Sequence, residues 1–248
     1  MKEKEQYVFG VRPIAEAIHS GKEINKVFIR KNMRSEMLGE VFQEIRKAGI
    51  PFQFVPVEKL NSMVKGNHQG IIALLSLIEY KNLEEIVQRT FEEGRDPFIL
   101  ILDQITDVRN FGAVARTAEC AGVDVIVIPE KNSVSITPDA IKTSAGALNR
   151  IAVSRRKDLQ LTLQYLLESG IKIVAVTEKS EQYYFRADLQ GPLALLFGSE
   201  ESGISSQLLE LSDDRIKIPM AGSIESLNVS VACGIVTFEA VRQRLQHH

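Results

Sequence analysis

Five short apolar runs after residue 97 constrain the fold of this chain more than any other feature of its sequence. They read FILILD, DVIVIP, IKIVAV, LALLF and RIKIP, and helical segments separate them. Runs of this length and composition are typical of strands that are buried on both faces of a sheet. The pattern predicts an α/β domain with a mostly parallel sheet and helices on both sides.

The first 76 residues have a different pattern. NKVFIR, PFQFV and GIIALLS predict short strands, and EMLGEVFQEIRKAG between the first two predicts an amphipathic helix. This part is a small α/β unit of its own. The charged segment KNLEEIVQRTFEEGRDP follows it, either as a linker helix or as the entry to the second domain. We therefore predict a domain at 1–76, a linker at 77–97 and a second domain at 98–248.

The composition is that of a globular protein with a sizeable core, because 44% of the residues are hydrophobic and 25% are charged. The N-terminal residues are too charged for a secretory signal, and no apolar run reaches the ~18 residues that span a bilayer. We expect a cytoplasmic protein without a membrane partner. The net charge is −2, yet basic residues outnumber acidic ones 12 to 9 within residues 1–80. Such an excess is usually only a solvated surface, so charge alone does not establish RNA binding.

The motifs of several enzyme classes are missing from the sequence. It contains neither G-x-G-x-x-G after a strand nor a G-x-x-x-x-G-K-[ST] phosphate loop, which disfavours NAD and ATP. It has no G-x-S-x-G and no histidine between His68 and His247, which excludes a hydrolytic triad. Cys120 and Cys233 have no neighbouring Cys or His to complete a metal site. We expect two buried, reduced thiols and no metal.

Three polar loops follow predicted strands. DQITDVRNFGAVART, GSEESGIS and MAGSIESLN are rich in Gly, Ser, Asn and acidic residues. In parallel sheets, ligands bind where the loops leave the carboxyl ends of the strands. The titratable side chains in these loops are Asp103, Asp107, Arg109, Arg116, Glu200, Glu201 and Glu225. This set predicts a site that works by positioning and electrostatics.

The three loops also resemble the motifs of a known family. DVRNFGAVARTAECAGV, LLFGSEESGIS and IPMAGSIESLNVSVACGIVTFEAVRQRL are similar, in order and spacing, to those of the SpoU (TrmH-type) branch of the SPOUT RNA 2′-O-methyltransferases. VFGVRPIAEAI and NHQGIIA resemble the start and end of the small substrate-binding domain, similar to ribosomal protein L30, that many members carry. The resemblance implies a deep trefoil knot in the second domain. General topology rules alone predict an unknotted doubly wound sheet.

The same resemblance implies an activity. The family transfers a methyl group from S-adenosylmethionine to a ribose 2′-hydroxyl of RNA and needs no metal. Within the family, the chain is most similar to the enzymes that methylate a guanosine in bacterial 23S rRNA, and a tRNA ribose methyltransferase is the main alternative. A non-catalytic RNA-binding protein and a nucleotide-binding oxidoreductase are alternatives from other classes. The intact motif residues disfavour the first, and the missing glycine fingerprint disfavours the second.

Eight site residues follow from the resemblance. The positions that contact the cofactor in the family are matched by Gly198, Ile218 and Leu227, and the polar catalytic positions by Asn110, Arg116, Glu200, Ser226 and Asn228. The three cofactor positions also suit a turn glycine and ordinary core packing.

The five polar residues have structural interpretations as well. Asn110 is expected to cap a helix, which would put Arg116 on its second turn near the cleft. The alternative for Arg116 is a solvated helix arginine. Glu200 is alternatively a first-turn acid that the helix dipole favours. Ser226 and Asn228 are alternatively N-caps of the last helix.

The last helix predicts an interface. It is expected over 227–245, and its sequence is almost wholly apolar. The stripe on its successive turns consists of Val231, Ile235, Phe238, Val241 and Leu245. Such a stripe is too large for a monomer surface, so we expect a homodimer. Burial of the stripe inside the same chain is the alternative.

Overall fold

The computed structural model describes residues 7–31, 36–223 and 226–246, without the side chains of residues 36–38. Glu225 and the two C-terminal histidines lie outside the described residues. The chain divides into two compact units. One comprises residues 1–79 with 135–138, and the other comprises residues 80–134 with 139–248.

The first unit is a four-stranded mixed sheet with three helices. Its elements are β1 (Tyr7–Phe9), α1 (Val11–His19), β2 (Ile24–Arg30), α2 (Glu36–Lys47), β3 (Phe52–Val55), α3 (Val57–Met63) and β4 (Ile71–Leu75). The strand order is β1-β4-β2-β3, and only β2 and β3 are parallel neighbours. The three strands and the helix predicted here are confirmed. β1 was not predicted, because three residues are too few to show a period.

The second unit contains a six-stranded sheet in which every pair of neighbouring strands is parallel. Its elements are α4 (Leu83–Glu92), β5 (Phe98–Leu102), α5 (Val108–Cys120), β6 (Val125–Pro129), α6 (Pro138–Thr143), β7 (Ala152–Arg156), α7 (Leu159–Glu168), β8 (Lys172–Val176), β9 (Leu193–Phe197), α8 (Ser206–Glu210), β10 (Asp214–Ile216) and α9 (Val229–Leu245). The strand order is β10-β8-β9-β5-β6-β7. The five apolar runs form five of these strands, which confirms the α/β class and the parallel sheet. β7 was missed because it is an edge strand, AVSRR, that ends in two arginines.

Helices cover both faces of this sheet. α4, α7 and α8 pack against one face, toward which Ile99 and Ile101 of β5 point. Leu100 points the other way and is equally buried, and on that side α9 packs against α5 and β9. Side chains of β5 alternate between the two faces of the sheet, and both faces are covered. This is the physical reason that β5 has no polar residue. The trefoil knot stays a prediction.

α4 belongs to the second unit rather than standing free as a linker. Its apolar side chains join the core under the sheet. Glu84 accepts hydrogen bonds of 2.6 and 2.9 Å from the Arg156 guanidinium on β7. Burial acts to raise the pKa of Glu84, but the bonds from Arg156 outweigh it and hold the pKa below its ordinary value. The division of the chain at residues 76 and 97 stays a prediction.

α9 is apolar on two sides. Its buried face consists of Val229, Cys233, Val236, Thr237, Ala240 and Gln243. Away from that face, Val231, Phe238 and Leu245 are 49%, 47% and 71% exposed. Burial inside the same chain is therefore wrong as an explanation for these three side chains. The homodimer stays a prediction.

The two cysteines differ in environment. Cys233 is buried, and burial raises the pKa of its thiol to about 12. Cys120 is exposed, so the prediction of two buried thiols is wrong for this residue. The physical reason is that Cys120 lies four residues after the exposed Arg116 on the solvent-facing side of α5, whereas Ala118 on the other side is buried. Among the described residues, no helix has the length and hydrophobicity that crossing a membrane requires.

Candidate active site

The candidate active site lies at the carboxyl edge of the six-stranded sheet, where the loops after β5 and β9 diverge. From β5 the chain continues toward β6, whereas from β9 it continues to β10 on the far side of β8. Diverging loops leave a crevice between neighbouring strands, and this is where ligands bind in open α/β sheets.

A tight turn follows β9 and requires glycine at its start. The amide of Gly203 donates to the Ser199 carbonyl at 2.9 Å, and the amide of Ser202 donates to Ser199 Oγ at 3.1 Å. A Cβ atom on Gly198 would lie 2.1 Å from the carbonyl carbon of Gly203, far inside van der Waals contact. Gly203 itself has a left-handed φ of +68°. The turn therefore brings two stretches of backbone together and holds Glu200 at its tip.

A cleft of about 290 Å³ opens beside this turn. The three residues predicted to contact a cofactor, Gly198, Ile218 and Leu227, all line it, as do Glu200 and Ser226. The lining therefore combines glycines, several apolar side chains and polar groups, which suits a ligand with both apolar and polar parts.

Glu200 is held in a network with two asparagines. Glu200 Oε1 accepts from Asn110 Nδ2 at 2.9 Å, from Asn228 Nδ2 at 2.5 Å and from the amide of Val229 at 3.3 Å. Asn228 Nδ2 also donates to Asn110 Oδ1 at 2.9 Å. Glu200 Oε2 has no hydrogen-bond partner among the described residues. One carboxylate oxygen is thus fixed at the N-terminus of a 17-residue helix, a favourable place for negative charge, and the other is free.

The helix caps explain how the network forms, and they correct one prediction. Asp107, not Asn110, is the N-cap of α5, since its carboxylate accepts from the amides of Arg109 and Asn110. Asn110 lies in the first turn, which frees its side chain for the network. Asn228 caps α9 and accepts from the amide of Ser230 at 3.0 Å, as its alternative interpretation predicted. A cap of this kind is worth about 1 kcal/mol.

Glu200 and Ser226 also differ from their structural alternatives. Glu200 lies in the turn after β9 and not in the first turn of a helix. Ser226 is two residues before the cap of α9, is exposed and lines the cleft. Glu200 is therefore not a first-turn helix acid, and Ser226 is not the N-cap of the last helix.

Among the predicted site residues, Arg116 lies neither in the cleft nor in the Glu200 network. It lies on the third turn of α5, because the helix begins at Val108. Six residues separate it from Asn110, a rotation of about 240° around the helix. Its exposed side chain lines a second cavity, of about 460 Å³, together with Cys120 and Arg150. Its predicted place on the second turn near the cleft is therefore wrong.

Sequence reasoning missed the loop after β8. Its residues Thr177, Glu178 and Lys179 line the cleft. The loop TEKSE carries no glycine and no motif, so the order of strands alone places it beside the β9 turn. No group of three or more His, Cys, Asp or Glu side chains that could hold a metal occurs among the described residues.

Two family models match the chain. The model of the SpoU rRNA Methylase family matches residues 97–238, and the model named RNA 2′-O ribose methyltransferase substrate binding matches residues 7–81. The first match covers the sheet, the cleft and the network, and the second covers the first unit.

Individual proteins agree with these matches. The chain is 36% identical over 244 residues to the Bacillus subtilis protein YacO, named for the TrmH family of tRNA/rRNA methyltransferases, with 98% of each chain covered. A solved RNA 2′-O ribose methyltransferase is 26% identical with a TM-score of 0.57, covering 96% of this chain and 88% of its own. The SpoU methyltransferase AviRb of Streptomyces viridochromogenes, solved with AdoMet, has the same fold, with 24% identity, a TM-score of 0.61, and 97% and 90% coverage. The chain belongs to the SpoU rRNA methylase family, the TrmH-type RNA methyltransferases.

Proposed function

We propose that this protein transfers the methyl group of S-adenosylmethionine to the 2′-hydroxyl of a guanosine ribose in 23S rRNA. The observation that carries the proposal is the position of Glu200. It lines the cleft, and its carboxylate is held by hydrogen bonds from Asn110 and Asn228.

The residues of the cleft fit S-adenosylmethionine. Because a Cβ on Gly198 would strike the Gly203 backbone, only glycine lets the turn close, and the closed turn forms one wall of the cleft. Ile218 and Leu227 would hold the adenine and the methionyl chain by apolar contact and backbone hydrogen bonds. When bound, S-adenosylmethionine supplies a sulfonium methyl group, which is electrophilic without a metal.

The network would position and deprotonate the ribose. Glu200 Oε1 is fixed by three donors, so the free Oε2 is oriented and available to accept a proton from the 2′-hydroxyl or from an intervening water. Holding the hydroxyl in line with the methyl group can supply ~7–11 kcal/mol of the barrier. Asn110 and Asn228 therefore act through the orientation of Glu200, and Ser226 at the cleft rim would bind the ribose.

Arg116 would act on the RNA backbone. An arginine guanidinium keeps its proton in proteins, so it does not serve as a base. Its exposed side chain has no partner among the described residues, which leaves all of its donors available to a phosphate. Because α5 holds Arg116 outside the Glu200 network, we propose that it binds another phosphate of the same RNA strand at the second cavity and so keeps the strand aligned for transfer.

The choice of 23S rRNA rests on the first unit. We propose that residues 1–76 hold structured RNA by shape and backbone contacts and that residues 98–248 perform the chemistry. Residues 77–97 would connect the two parts, with α4 packed into the second unit. The family model for residues 7–81 is named for substrate binding, which supports this division. The relative YacO is named for both tRNA and rRNA, so a tRNA ribose remains the alternative substrate. RNA modification of this kind takes place in the cytoplasm, where we propose that the protein acts.

Methyl transfer to purified RNA tests the proposed function. The protein is incubated with methyl-labelled S-adenosylmethionine and total bacterial RNA that lacks the modification, with excess chelator present. We expect label in 23S rRNA at the same rate with and without chelator, because no residue set in the cleft requires a metal. Absence of label in any RNA, or its loss under chelation, would contradict the proposal. Label in tRNA alone would establish the alternative substrate.

We also propose that two copies of the chain pair through α9. Val231, Phe238 and Leu245 are seven residues apart, so they lie on one side of the helix and form a seam like that of a two-stranded coiled coil. We expect light scattering at micromolar concentration to give about twice the chain mass of 27.7 kDa. We expect Phe238→Glu to return the single-chain mass without unfolding the protein, because the ring is exposed within its own chain. A wild-type mass equal to that of one chain would overturn the dimer.

A further inference from the structure

Another polar cavity, separate from the cleft and from the cavity that Arg116 lines, lies at the carboxyl edge of the six-stranded sheet. It measures about 370 Å³ and is formed by the loops after β5, β6 and β7. We call it the edge cavity and define it by Asp103, Gln104, Lys131, Asn132, Lys157 and Gln160. Leu159 and Leu208, which pack under the sheet with α7 and α8, form its floor. The cavity therefore opens on the opposite side of the sheet from α9, away from the proposed pairing surface.

The acidic groups of the edge cavity are already engaged by the protein. Asp103 is 5% exposed, and its Oδ2 accepts from the amide of Ser205 at 2.9 Å. Asp158 caps α7, where its Oδ1 accepts from the amides of Gln160 and Leu161. One oxygen of each carboxylate is thus bound by backbone donors.

The basic groups of the cavity are free. Lys131 and Lys157 are both exposed, and neither forms an ion pair or hydrogen bond within the described ranges. Two ammonium groups on one concave surface repel each other unless an anion lies between them. Since the lysines are exposed and unpaired within the described part of the chain, they are the groups of the cavity that can pair with an incoming anion.

The cavity also contains unusual backbone geometry. Gln104 has φ of +57° and Asn132 has φ of +53°, two of the four non-glycine residues with positive φ among those described. Such a conformation costs roughly 1–2 kcal/mol for a residue with a Cβ. Both residues place a side-chain amide in the lining, where it can donate to an oxygen anion. The surrounding fold therefore holds both loops in a costly conformation that directs these amides to the cavity.

The edge cavity and the Glu200 network share one loop. Residues 103–107 connect the cavity to the first turn of α5, where Asn110 contacts Glu200. The amide of Asp103 donates to the Phe197 carbonyl at 2.8 Å, which ties the start of this loop to the end of β9. An RNA strand with its target ribose at Glu200 can follow this loop along the sheet edge toward the lysines.

We propose that the edge cavity binds phosphate groups of the RNA strand next to the methylated nucleotide, through Lys131 and Lys157. The proposal rests on the proposed function for the identity of the ligand. The group that the two lysines would bind is a phosphate anion, and both RNA and a free nucleotide carry one. RNA is favoured because the cavity is open and joined to the network, so that binding here would help to position the target ribose.

The test compares RNA affinity of two doubly substituted proteins by fluorescence anisotropy. Lys131→Gln with Lys157→Gln removes the two proposed contacts. Arg89→Gln with Arg95→Gln removes the same charge from exposed positions in the last turn of α4 and just before β5, at the amino edge of the sheet. With a labelled fragment of 23S rRNA, we expect the first protein to bind about 10-fold more weakly than wild type. The slope of log affinity against log salt should fall by about 1.4, the value for two contacts on a single strand. The control should keep both the wild-type affinity and the wild-type slope.

Three outcomes decide the proposal. An equal affinity and salt slope for the two double variants would overturn it. The proposal would also be overturned if the lysine variant bound RNA as wild type does but no longer bound guanosine monophosphate. That result would make the cavity a free-nucleotide site. In the methylation assay, we expect the lysine variant to raise KM for RNA and leave kcat and the S-adenosylmethionine Kd unchanged. Because anisotropy requires no methyl transfer, failure of this proposal is distinguishable from failure of the proposed function.

Discussion

Gly198→Ala is expected to abolish measurable binding of S-adenosylmethionine. The new methyl group would lie 2.1 to 2.3 Å from backbone atoms of Gly203 and Ile204, and backbone cannot move aside as a flexible side chain can. The turn must open, which displaces both the cleft wall and Glu200. Overpacking typically costs about 1–3 kcal/mol, and a clash with backbone should lie at the upper end of that range, so we expect Kd to rise about 100-fold. Isothermal titration calorimetry of the folded variant measures this effect.

Gly203→Ala is the matched control in the same turn. A Cβ on Gly203 meets nothing within 4 Å, so this substitution adds only the strain of a left-handed φ, about 1 kcal/mol. We expect a small loss of stability and a cofactor Kd within a few fold of wild type. Equal losses of binding in the two variants would show that turn strain, not the close approach at Gly198, governs the cleft.

Glu200→Gln and Arg116→Ala are expected to lower turnover about 100-fold or more while leaving the protein folded and the cofactor bound. The loss of a positioned base, or of a group that aligns the reacting RNA, has effects of about 10²–10³. Arg116 is exposed, so its loss should change the free energy of unfolding by less than about 0.5 kcal/mol, whereas Glu200→Gln weakens three hydrogen bonds and should cost about 1 kcal/mol. Single-turnover rates at saturating RNA and cofactor measure the effect.

The comparison variants separate the two roles. Glu210→Gln, an exposed acid at the end of α8, should keep wild-type turnover. Arg116→Lys keeps the charge but not the planar two-point contact with a phosphate. Substantial activity in Arg116→Lys would indicate simple charge stabilisation, and little activity would indicate bidentate binding. Wild-type turnover in Arg116→Ala would contradict its assignment and leave Glu200 as the main catalytic group.

Most of the second sheet was predictable because its strands are buried on both faces and are therefore apolar throughout. β5 consists of FILIL, and all five of its residues are buried. β7 was not predictable on the same grounds, since as an edge strand it tolerates Arg155 and Arg156. The strand order also lies outside local patterns, because it depends on which loops cross over others.

The site was predictable in residue type but not in arrangement. Glycine at 198 was predicted from the resemblance, yet its steric cause, contact with Gly203, involves a loop shape that no periodicity reveals. Asn110 was assigned the cap that belongs to Asp107, because both residue types are good caps and they lie only three residues apart. Arg116 was placed by counting turns from the wrong cap. The contact of Asn110 with Asn228, 118 residues away, requires the folded sheet.

The position of the transferred methyl group tests the central claim most directly. RNA labelled by the wild-type protein is digested to nucleosides and examined by mass spectrometry, with the modified nucleotide then mapped by primer extension at low dNTP concentration. We predict 2′-O-methylguanosine at a single position of 23S rRNA, absent from RNA treated with Glu200→Gln for the same time. A methyl group on a base, or label spread over many positions independent of Glu200, would contradict the account.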